Sequence, residues 1–339
     1  MNARAPHSPA RRPAAWGAVQ FGRAAAVAVG VALASLLLVR LLPGDAVDSR
    51  PGGNEGTPLP PRAAAEARAA LGLDRPFPAQ AIAWAAKAAR GDLGYSLADG
   101  RPVTRRIAER IPATLLLQGA ALSLALGLAV PLGTLLAWRA GSQVDRAARV
   151  VLLACFALPG FWVAVLLQGW FAVRWGWLPM QGMSTAAGAG PAGGGVGLDV
   201  ARHLLLPAVC LALPQIAYVA RFARAAVLEV LGDETVRTAR AKGLSNGAVL
   251  RRHALSQALA PLLTLTGMAL PALVGGSILI ESIFSWPGLG RLFHDAVQQR
   301  DYPVIQALML LAGGATVAGN LLANRLSTAL DPRTADSPR

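Results

Sequence analysis

Long apolar runs without a charged residue restrict the fold of this 339-residue chain more than any other feature. A helix needs about 20 mostly apolar residues to cross a bilayer. Four runs exceed that length, at residues 113–138, 150–173, 254–280 and 302–323. None has the alternating pattern of a barrel strand, and a lone strand in lipid would leave its backbone groups unsatisfied. The sequence therefore predicts an all-α, polytopic membrane protein.

Two further segments bring the predicted number of transmembrane helices to six. Residues 24–42 carry Arg40 near their end, where a long side chain can reach the headgroups. Residues 204–220 are short and contain two prolines. A basic tail before an apolar run also describes a cleavable signal peptide, but no small-x-small cleavage pattern follows residue 42. We therefore expect an uncleaved first helix.

Basic residues in the short loops predict the orientation. Arginine and lysine accumulate in short cytoplasmic loops, and here they concentrate in the tail 1–23 and in the loops 139–149 and 221–253. This pattern places both termini, including the tail 324–339, in the cytoplasm, and residues 43–112 outside the cell membrane. Membrane topology thus explains the net charge of +14 better than nucleic-acid binding does.

The extracytoplasmic segment 43–112 has a Pro/Gly-rich linker at 48–61, followed by helical patterns at 62–71, 78–89 and 104–111. The last of these is expected to end before Pro112, because the residue that precedes a proline is restricted.

A short polar helix is predicted between the fourth and fifth spans. Gly232 can interrupt the preceding helix, Asp233 is a suitable N-cap, and Gly243 suits the left-handed position that closes a helix. Residue types alone leave two interpretations open. The helix is either a solvated connector or a docking surface for a soluble partner.

The faces of this helix carry different residues. Val236 and Ala239 share one face, and Arg237 and Arg240 share another. Small residues such as Ala241 permit close approach to a groove.

The sequence gives no sign of proton coupling, nucleotide binding, metal binding or catalysis by this chain itself. Each predicted span lacks a central ionisable residue, which disfavours proton-coupled transport. The two lysines, Lys87 and Lys242, do not end a phosphate-binding loop, and the histidines lack metal-ligand spacing. The sequence predicts no catalytic residue, no metal and no cofactor, so any ATP must be bound by a partner.

Several segments form a recognisable set. They are YVARFARAAVLEVL (218–231), VRTARAKGLS (236–245), LRRHAL (250–255), LPGD (42–45), GLDRPFP (72–78), GDLG (91–94), IESIFSWPGLGR (280–291), RDYP (300–303) and LDPR (330–333). Together they closely resemble the permease subunits of bacterial ABC importers for dipeptides, oligopeptides and nickel. The resemblance covers almost the whole chain and implies the fold of a type I importer permease, with a core at 113–323.

This resemblance implies how the polar helix is used. In such permeases it is a coupling helix that docks in a groove of the ATPase subunit. By position, Arg237, Thr238 and Ala239 take the places of the family's Glu-Ala-Ala motif. The residues implied to couple are Val236, Arg237, Thr238, Ala239, Arg240, Ala241, Lys242, Gly243 and Leu244.

The segment 286–290 and two arginines near the end of the fourth span also need an interpretation. The segment Trp286, Pro287, Gly288, Leu289 and Gly290 is either a turn with a tryptophan at the membrane interface or, by analogy, an outer gate or binding-protein contact. Arg221 and Arg224 are interpreted as cytoplasmic anchors.

The resemblance implies an importer subunit for di- or oligopeptides that works by alternating access. Expected partners are a second homologous permease, two ABC ATPase subunits that bind ATP and Mg²⁺, an extracytoplasmic solute-binding protein and the lipid bilayer. Two alternatives are an importer of nickel or another small solute, and a membrane scaffold that docks a soluble partner without transport.

Overall fold

A computed structural model of the chain describes Gly30 and residues 76–185, 196–243 and 277–330. Within these ranges the secondary structure is helical, and the β pairing is a single bridge between Tyr95 and Pro102. The predicted all-α class is confirmed. Outside the described residues lie the predicted first span except Gly30, the linker 48–61, the helix 62–71, Leu244 and most of the fifth span.

The described ranges contain nine α-helices, numbered here in chain order. They are α1 (Phe77–Ala89), α2 (Val103–Trp138), α3 (Gln143–Ala157), α4 (Gly160–Leu167), α5 (Val196–Leu231), α6 (Glu234–Ala241), α7 (Ile278–Ile283), α8 (Leu289–Gln298) and α9 (Tyr302–Leu330). Helix α4 continues directly into a π-helical segment, Gln168–Arg174.

Three of these helices are long and apolar enough to cross a membrane by length and composition. They are α2, the Gly197–Leu231 part of α5 and the Tyr302–Leu322 part of α9. A fourth is added if α3 and α4 with its π-helical extension count as one span. The chain is therefore a multi-pass membrane protein, and the total of six spans stays a prediction.

Helix α2 corrects one boundary. The lead-in at 104–111 was expected to stop before Pro112, but α2 runs without interruption through Pro112 and Pro131. A proline removes one backbone donor and crowds the preceding turn. Buried residues on both sides of Pro112, among them Ile107 and Leu117, hold the backbone in tertiary contacts that outweigh this local preference.

The predicted third span is not a single straight helix. Helices α3 and α4 are bent by 100° relative to each other at a break of a few residues. Leu158 is extended with ψ of 133°, as expected for a residue before proline, and Pro159 is also extended with ψ of 127°. A proline in an apolar run thus ends one helix here, whereas Pro112 does not.

Helices α2 and α5 form the most extensive helix–helix contact among the described elements. Gly133 of α2 allows it, because a Cβ there would collide with the Ala220 carbonyl oxygen and lie 2.7 Å from the Ala223 Cβ. Small residues let helix backbones approach where lipid gives no hydrophobic drive for association. The contact also fixes where the end of α5, and with it α6, sits against α2.

The α2–α5 contact at Gly133 lies near the C-terminal end of α2, and an apolar cluster lies at its N-terminal end. Val103 and Ile107 pack there with Leu292 of α8 and with Val304 and Leu308 of α9. These two contacts place α8 and α6 at opposite ends of the same long helix.

Candidate coupling helix and outer turn

The polar helix α6 begins and ends where the sequence predicts. Helix α5 ends at Leu231, Gly232 and Asp233 form the break, and α6 spans Glu234–Ala241. The Asp233 carbonyl accepts the first helical bonds, from the Val236 and Arg237 N–H groups at 3.1 and 3.2 Å. Gly243 follows with φ of +82°, the left-handed conformation that glycine adopts without a Cβ penalty.

One face of α6 is used within the chain. Val236 is fully buried against Val230 and Leu231, so its side chain anchors α6 to the end of α5. Val236 is therefore not on an exposed docking face, although it was grouped with the coupling residues.

The opposite side of α6 is open. Arg237, Thr238, Ala241 and Lys242 are exposed. This surface is basic because of Arg237 and Lys242, and the small side chains of Thr238 and Ala241 lie between them. The side chains of Ala239 and Arg240 lie outside the described residues.

A buried ion pair lies two helical turns before the end of α5. Both oxygens of Asp145, on α3, accept from Arg224 of α5: Nε to Oδ1 at 2.7 Å and Nη2 to Oδ2 at 2.8 Å. The Asp145 side chain is completely buried. Arg224 is thus an interhelical bond and not merely a cytoplasmic anchor, which sequence reasoning missed because its partner is 79 residues away. Arg221 packs its guanidinium 5.0 Å from the centre of the Phe156 ring.

The turn at 286–290 is part of the protein interior. Trp286 is completely buried, and its Nε1 donates a 2.8 Å hydrogen bond to the Ala113 carbonyl of α2. Gly288, Leu289 and Gly290 are buried as well. Trp286 thus contacts α2, and both interpretations of the turn, as a turn at the membrane interface or as an outer gate, stay predictions. The turn is clamped onto α2, at the end far from α6.

A buried carboxylate holds the start of α8 in this turn. Glu281 accepts from the Thr114 hydroxyl at 3.2 Å and from the Arg291 backbone N–H at 3.1 Å, and Thr114 in turn accepts from the Leu289 N–H at 2.7 Å. These acceptors satisfy donors that a helix start leaves without intrahelical partners. Gly288 is required by space, since a Cβ there would meet both the Glu281 carboxylate and the Thr114 hydroxyl.

A further buried carboxylate, Asp301, ties the segment before α2 to the start of α9. It accepts from the Ser96 hydroxyl, from the Leu97 N–H at 3.0 Å and from Arg106 Nη1 at 2.9 Å. The resemblance had picked out the segments 91–94 and 300–303 separately. The structure brings the chain around them together, which the sequence alone did not show.

The neighbouring Asp99 is more exposed and lies 3.5 Å from Arg106 Nε. Partial burial acts to raise the pKa of Asp99. Hydrogen bonds from the Arg101 backbone and Ser96, with the Arg106 charge, outweigh it and hold that pKa below its ordinary value.

No group of three or more His, Cys, Asp or Glu side chains that could hold a metal occurs within the described ranges. The buried carboxylates of Asp145, Glu281 and Asp301 accept hydrogen bonds from neighbouring elements. Cys155 and Cys210 are free thiols.

Long apolar helices, together with a short exposed polar helix that follows α5, define a multi-pass helical membrane protein. Residues 129–336 match the family described as binding-protein-dependent transport system inner membrane component. The match covers more than half of the chain, and the chain belongs to this family. Membership implies partnership with a solute-binding protein and separate ATPase subunits. Permease subunits of this family are not themselves enzymes.

Relatives agree with this assignment. The chain is 39% identical to the probable peptide ABC transporter permease protein y4tP of Sinorhizobium fredii, over 91% of this chain and 95% of the relative. It is 38% identical to the di/tripeptide transport system permease protein DppB of Pseudomonas aeruginosa, over 90% and 94%. It is 39% identical to the oligopeptide transport system permease protein AppB of Bacillus subtilis, over 77% and 82%.

One solved structure is also similar. A chain of the inward-facing MetNI methionine ABC transporter aligns with 66% of this chain and 95% of its own length, at 16% identity and a TM-score of 0.49.

Proposed function

We propose that this chain is a permease subunit of an ABC importer for di- or oligopeptides. The observation that carries the proposal is the 38–39% identity to three relatives named as peptide permeases. A scaffold without transport is not favoured, because all three relatives are named for transport. With a second homologous permease, the chain would form the pathway for peptides delivered by a solute-binding protein.

Helix α6 is the proposed contact with the ATPase. Its exposed Arg237, Thr238 and Lys242 face away from α5 and can enter a groove, while Val236 fixes the helix from behind. Ala239, Arg240, Ala241, Gly243 and Leu244 complete the proposed coupling segment by their places in the sequence. ATP and Mg²⁺ would be bound by the partner ATPase subunits.

Motion would pass from α6 to the pathway as rigid-body displacement. Closure of the ATPase dimer would move α6, and α5 would follow because Val236 packs on its last turn. Helix α5 lies against α2 through the Gly133 contact, and α2 holds the outer turn through Thr114 and Ala113. ATP would thereby bias the equilibrium between inward-facing and outward-facing states.

The outer turn has a supporting role in this scheme. Because Trp286 and Gly288 are buried, we propose that the turn shapes the outer gate, or the surface that meets the binding protein, without Trp286 itself making that contact.

The test of coupling is a substitution at Gly243. Gly243→Pro should assemble in the membrane but lower binding-protein-stimulated ATP turnover at least about tenfold, because proline cannot adopt φ of +82°. The matched control is Gly243→Asn, since asparagine tolerates the left-handed region, and it should keep most of the activity. Charge reversal by Arg237→Glu should act like the proline variant. Normal transport in both Gly243→Pro and Arg237→Glu would contradict the proposal.

The substrate is tested by purifying the cognate solute-binding protein and identifying its bound ligand by mass spectrometry. Di- or oligopeptides are the expected ligands, and proteoliposomes holding both permeases and both ATPases should then accumulate them only with ATP. Nickel or another small solute as the bound ligand would overturn the peptide assignment.

A further inference from the structure

The ion pair between Asp145 and Arg224 is built more strongly than a surface pair. The Asp145 side chain is completely buried and that of Arg224 is 20% exposed. Two parallel bonds of 2.7 and 2.8 Å join them in the bidentate geometry that gives an arginine–carboxylate pair both strength and direction. A pair of this kind fixes the relative orientation of the two helices that carry it.

Asp145 also organises the turn between α2 and α3. Its Oδ2 accepts from the Gly141 N–H at 3.0 Å, and Gly141 has φ of +81°. The Asp145 N–H donates to the Ser142 hydroxyl at 3.2 Å, which caps α3. One carboxylate therefore joins the end of α2, the start of α3 and the final third of α5.

The position of Arg224 along α5 places this junction close to the end of the helix that carries α6. Arg224 lies seven residues before Leu231, where α5 ends, and α6 is anchored on that last turn by Val236. The close contact of Gly133 with Ala220 and Ala223 lies within one turn of Arg224. A displacement of α6 therefore reaches α2 where Val227 packs near Ala137, and it reaches α3 at this junction.

Other charges near Asp145 do not replace Arg224. Arg149, on α3 itself, has its Nε 3.7 Å from Asp145 Oδ2 and is half exposed. It cannot connect α3 to α5, because it belongs to the same helix as Asp145. Arg146 is an exposed cation on α3 and provides a control for loss of positive charge at this end of the protein.

We propose that Asp145 and Arg224 are positioning residues that lock the start of α3 to the end of α5, so that both move as one body with the coupling helix. This inference rests on the proposed transport function. Breaking the pair leaves a charge in a buried site and lets α5 move without α3. ATP turnover then continues while less substrate is moved for each ATP hydrolysed.

The first experiment compares Asp145→Asn, Arg224→Gln, Arg224→Lys and the control Arg146→Gln in reconstituted complexes of both permeases and ATPases. We expect the ratio of peptide transported to ATP hydrolysed to fall about tenfold in Asp145→Asn and Arg224→Gln. Arg224→Lys should fall less, because lysine keeps the charge but loses the bidentate fork. Arg146→Gln should match the wild type. An unchanged ratio in both Asp145→Asn and Arg224→Gln, with assembled complexes, would overturn the proposal.

A second measurement needs no change to the pair and covers variants that fail to assemble. Spin labels on cysteines at Val144 and Glu229, both exposed, report the distance between α3 and α5 in complexes without Cys155 and Cys210. We expect the same distance distribution with and without a trapped ATP state. A shift of about 5 Å, one helical turn, would show that the helices move separately and would overturn the proposal.

Different results would reject the proposed transport function and the proposed role of the ion pair. A wild-type complex that hydrolyses ATP but transports no peptide would reject the proposed function. The spin-label distance would still show whether α3 and α5 move as one body. A wild-type complex that transports peptide while this distance changes would reject only the role of the ion pair.

Discussion

Single residues in this chain are constrained mainly by what lies opposite them. Gly288 has an extended backbone, with φ of −102° and ψ of −172°, that any residue can adopt. Its requirement is for space, because the Glu281 carboxylate and the Thr114 hydroxyl fill the position of a Cβ. Gly119 of α2 differs, since a Cβ there would meet nothing within 4 Å.

We expect Gly288→Ala to destabilise the protein by about 1–3 kcal/mol, the usual result of forcing an extra methyl group into a packed site. Gly119→Ala should be neutral or slightly stabilising, because alanine is the better helix residue. Thermal unfolding of the two variants in detergent measures the difference. Equal unfolding temperatures for Gly288→Ala and the wild type would show that the Glu281 site has room and is not a tight clamp.

Local signals made some residues predictable from the sequence. Asp233 and Gly243 act through their own backbone, so the bounds of α6 followed from residue type. Arg224 and Trp286 act through partners 79 and 173 residues away. One sequence gives no measure of such distances, and for that reason Arg224 was interpreted as an anchor and the contact of Trp286 with α2 was not predicted.

Elements show the same division between local and distant causes. The spans α2 and α9 followed from apolar length, because lipid requires a helix whatever its neighbours are. Helix α5 runs well beyond the short span predicted at 204–220 and continues through both of its prolines. Prolines were harder to interpret. Pro112 lies within an unbroken helix whereas Pro159 stands at a 100° bend, and the difference depends on whether tertiary contacts hold the chain straight on both sides.

A prediction at this scale concerns Asp301, which joins the segment before α2 and the first turn of α2 to the start of α9. Asp301→Asn leaves Arg106, whose side chain is only 15% exposed, without its buried carboxylate. We expect a loss of about 3–5 kcal/mol, as for other broken buried pairs. Amide hydrogen exchange should rise in residues 92–106, which Asp301 holds through Ser96 and Leu97.

The matched control for this clamp is Asp295→Asn on α8. Asp295 is 43% exposed and lies 3.9 Å from Arg291 Nε, so its loss should cost no more than about 1 kcal/mol. If both aspartate variants had the same stability and the same exchange in residues 92–106, the clamp at Asp301 would be no stronger than a surface pair.

At the scale of the whole molecule, α2 connects two separate sites. It has 36 residues and is therefore about 54 Å long at 1.5 Å per residue. Its first turns hold α8 and α9 through Arg106 and Thr114, and its end meets α5 at Gly133. The turn at 286–290 and helix α6 thus lie toward opposite ends of α2.

The orientation of the molecule is tested by labelling single cysteines from one side of the membrane. Charge in the short loops predicts α6 inside and α1 outside. In a background without Cys155 and Cys210, the exposed positions Thr238 of α6 and Ala79 of α1 are each changed to cysteine. An impermeant maleimide added to intact spheroplasts should label Ala79→Cys, and it should label Thr238→Cys only after the membrane is opened. Labelling of both after lysis is the control for accessibility, and the chain without cysteine is the control for background. Labelling of Thr238→Cys in intact spheroplasts would place α6 outside, where no ATPase could reach it, and both the orientation and the proposed coupling would be rejected.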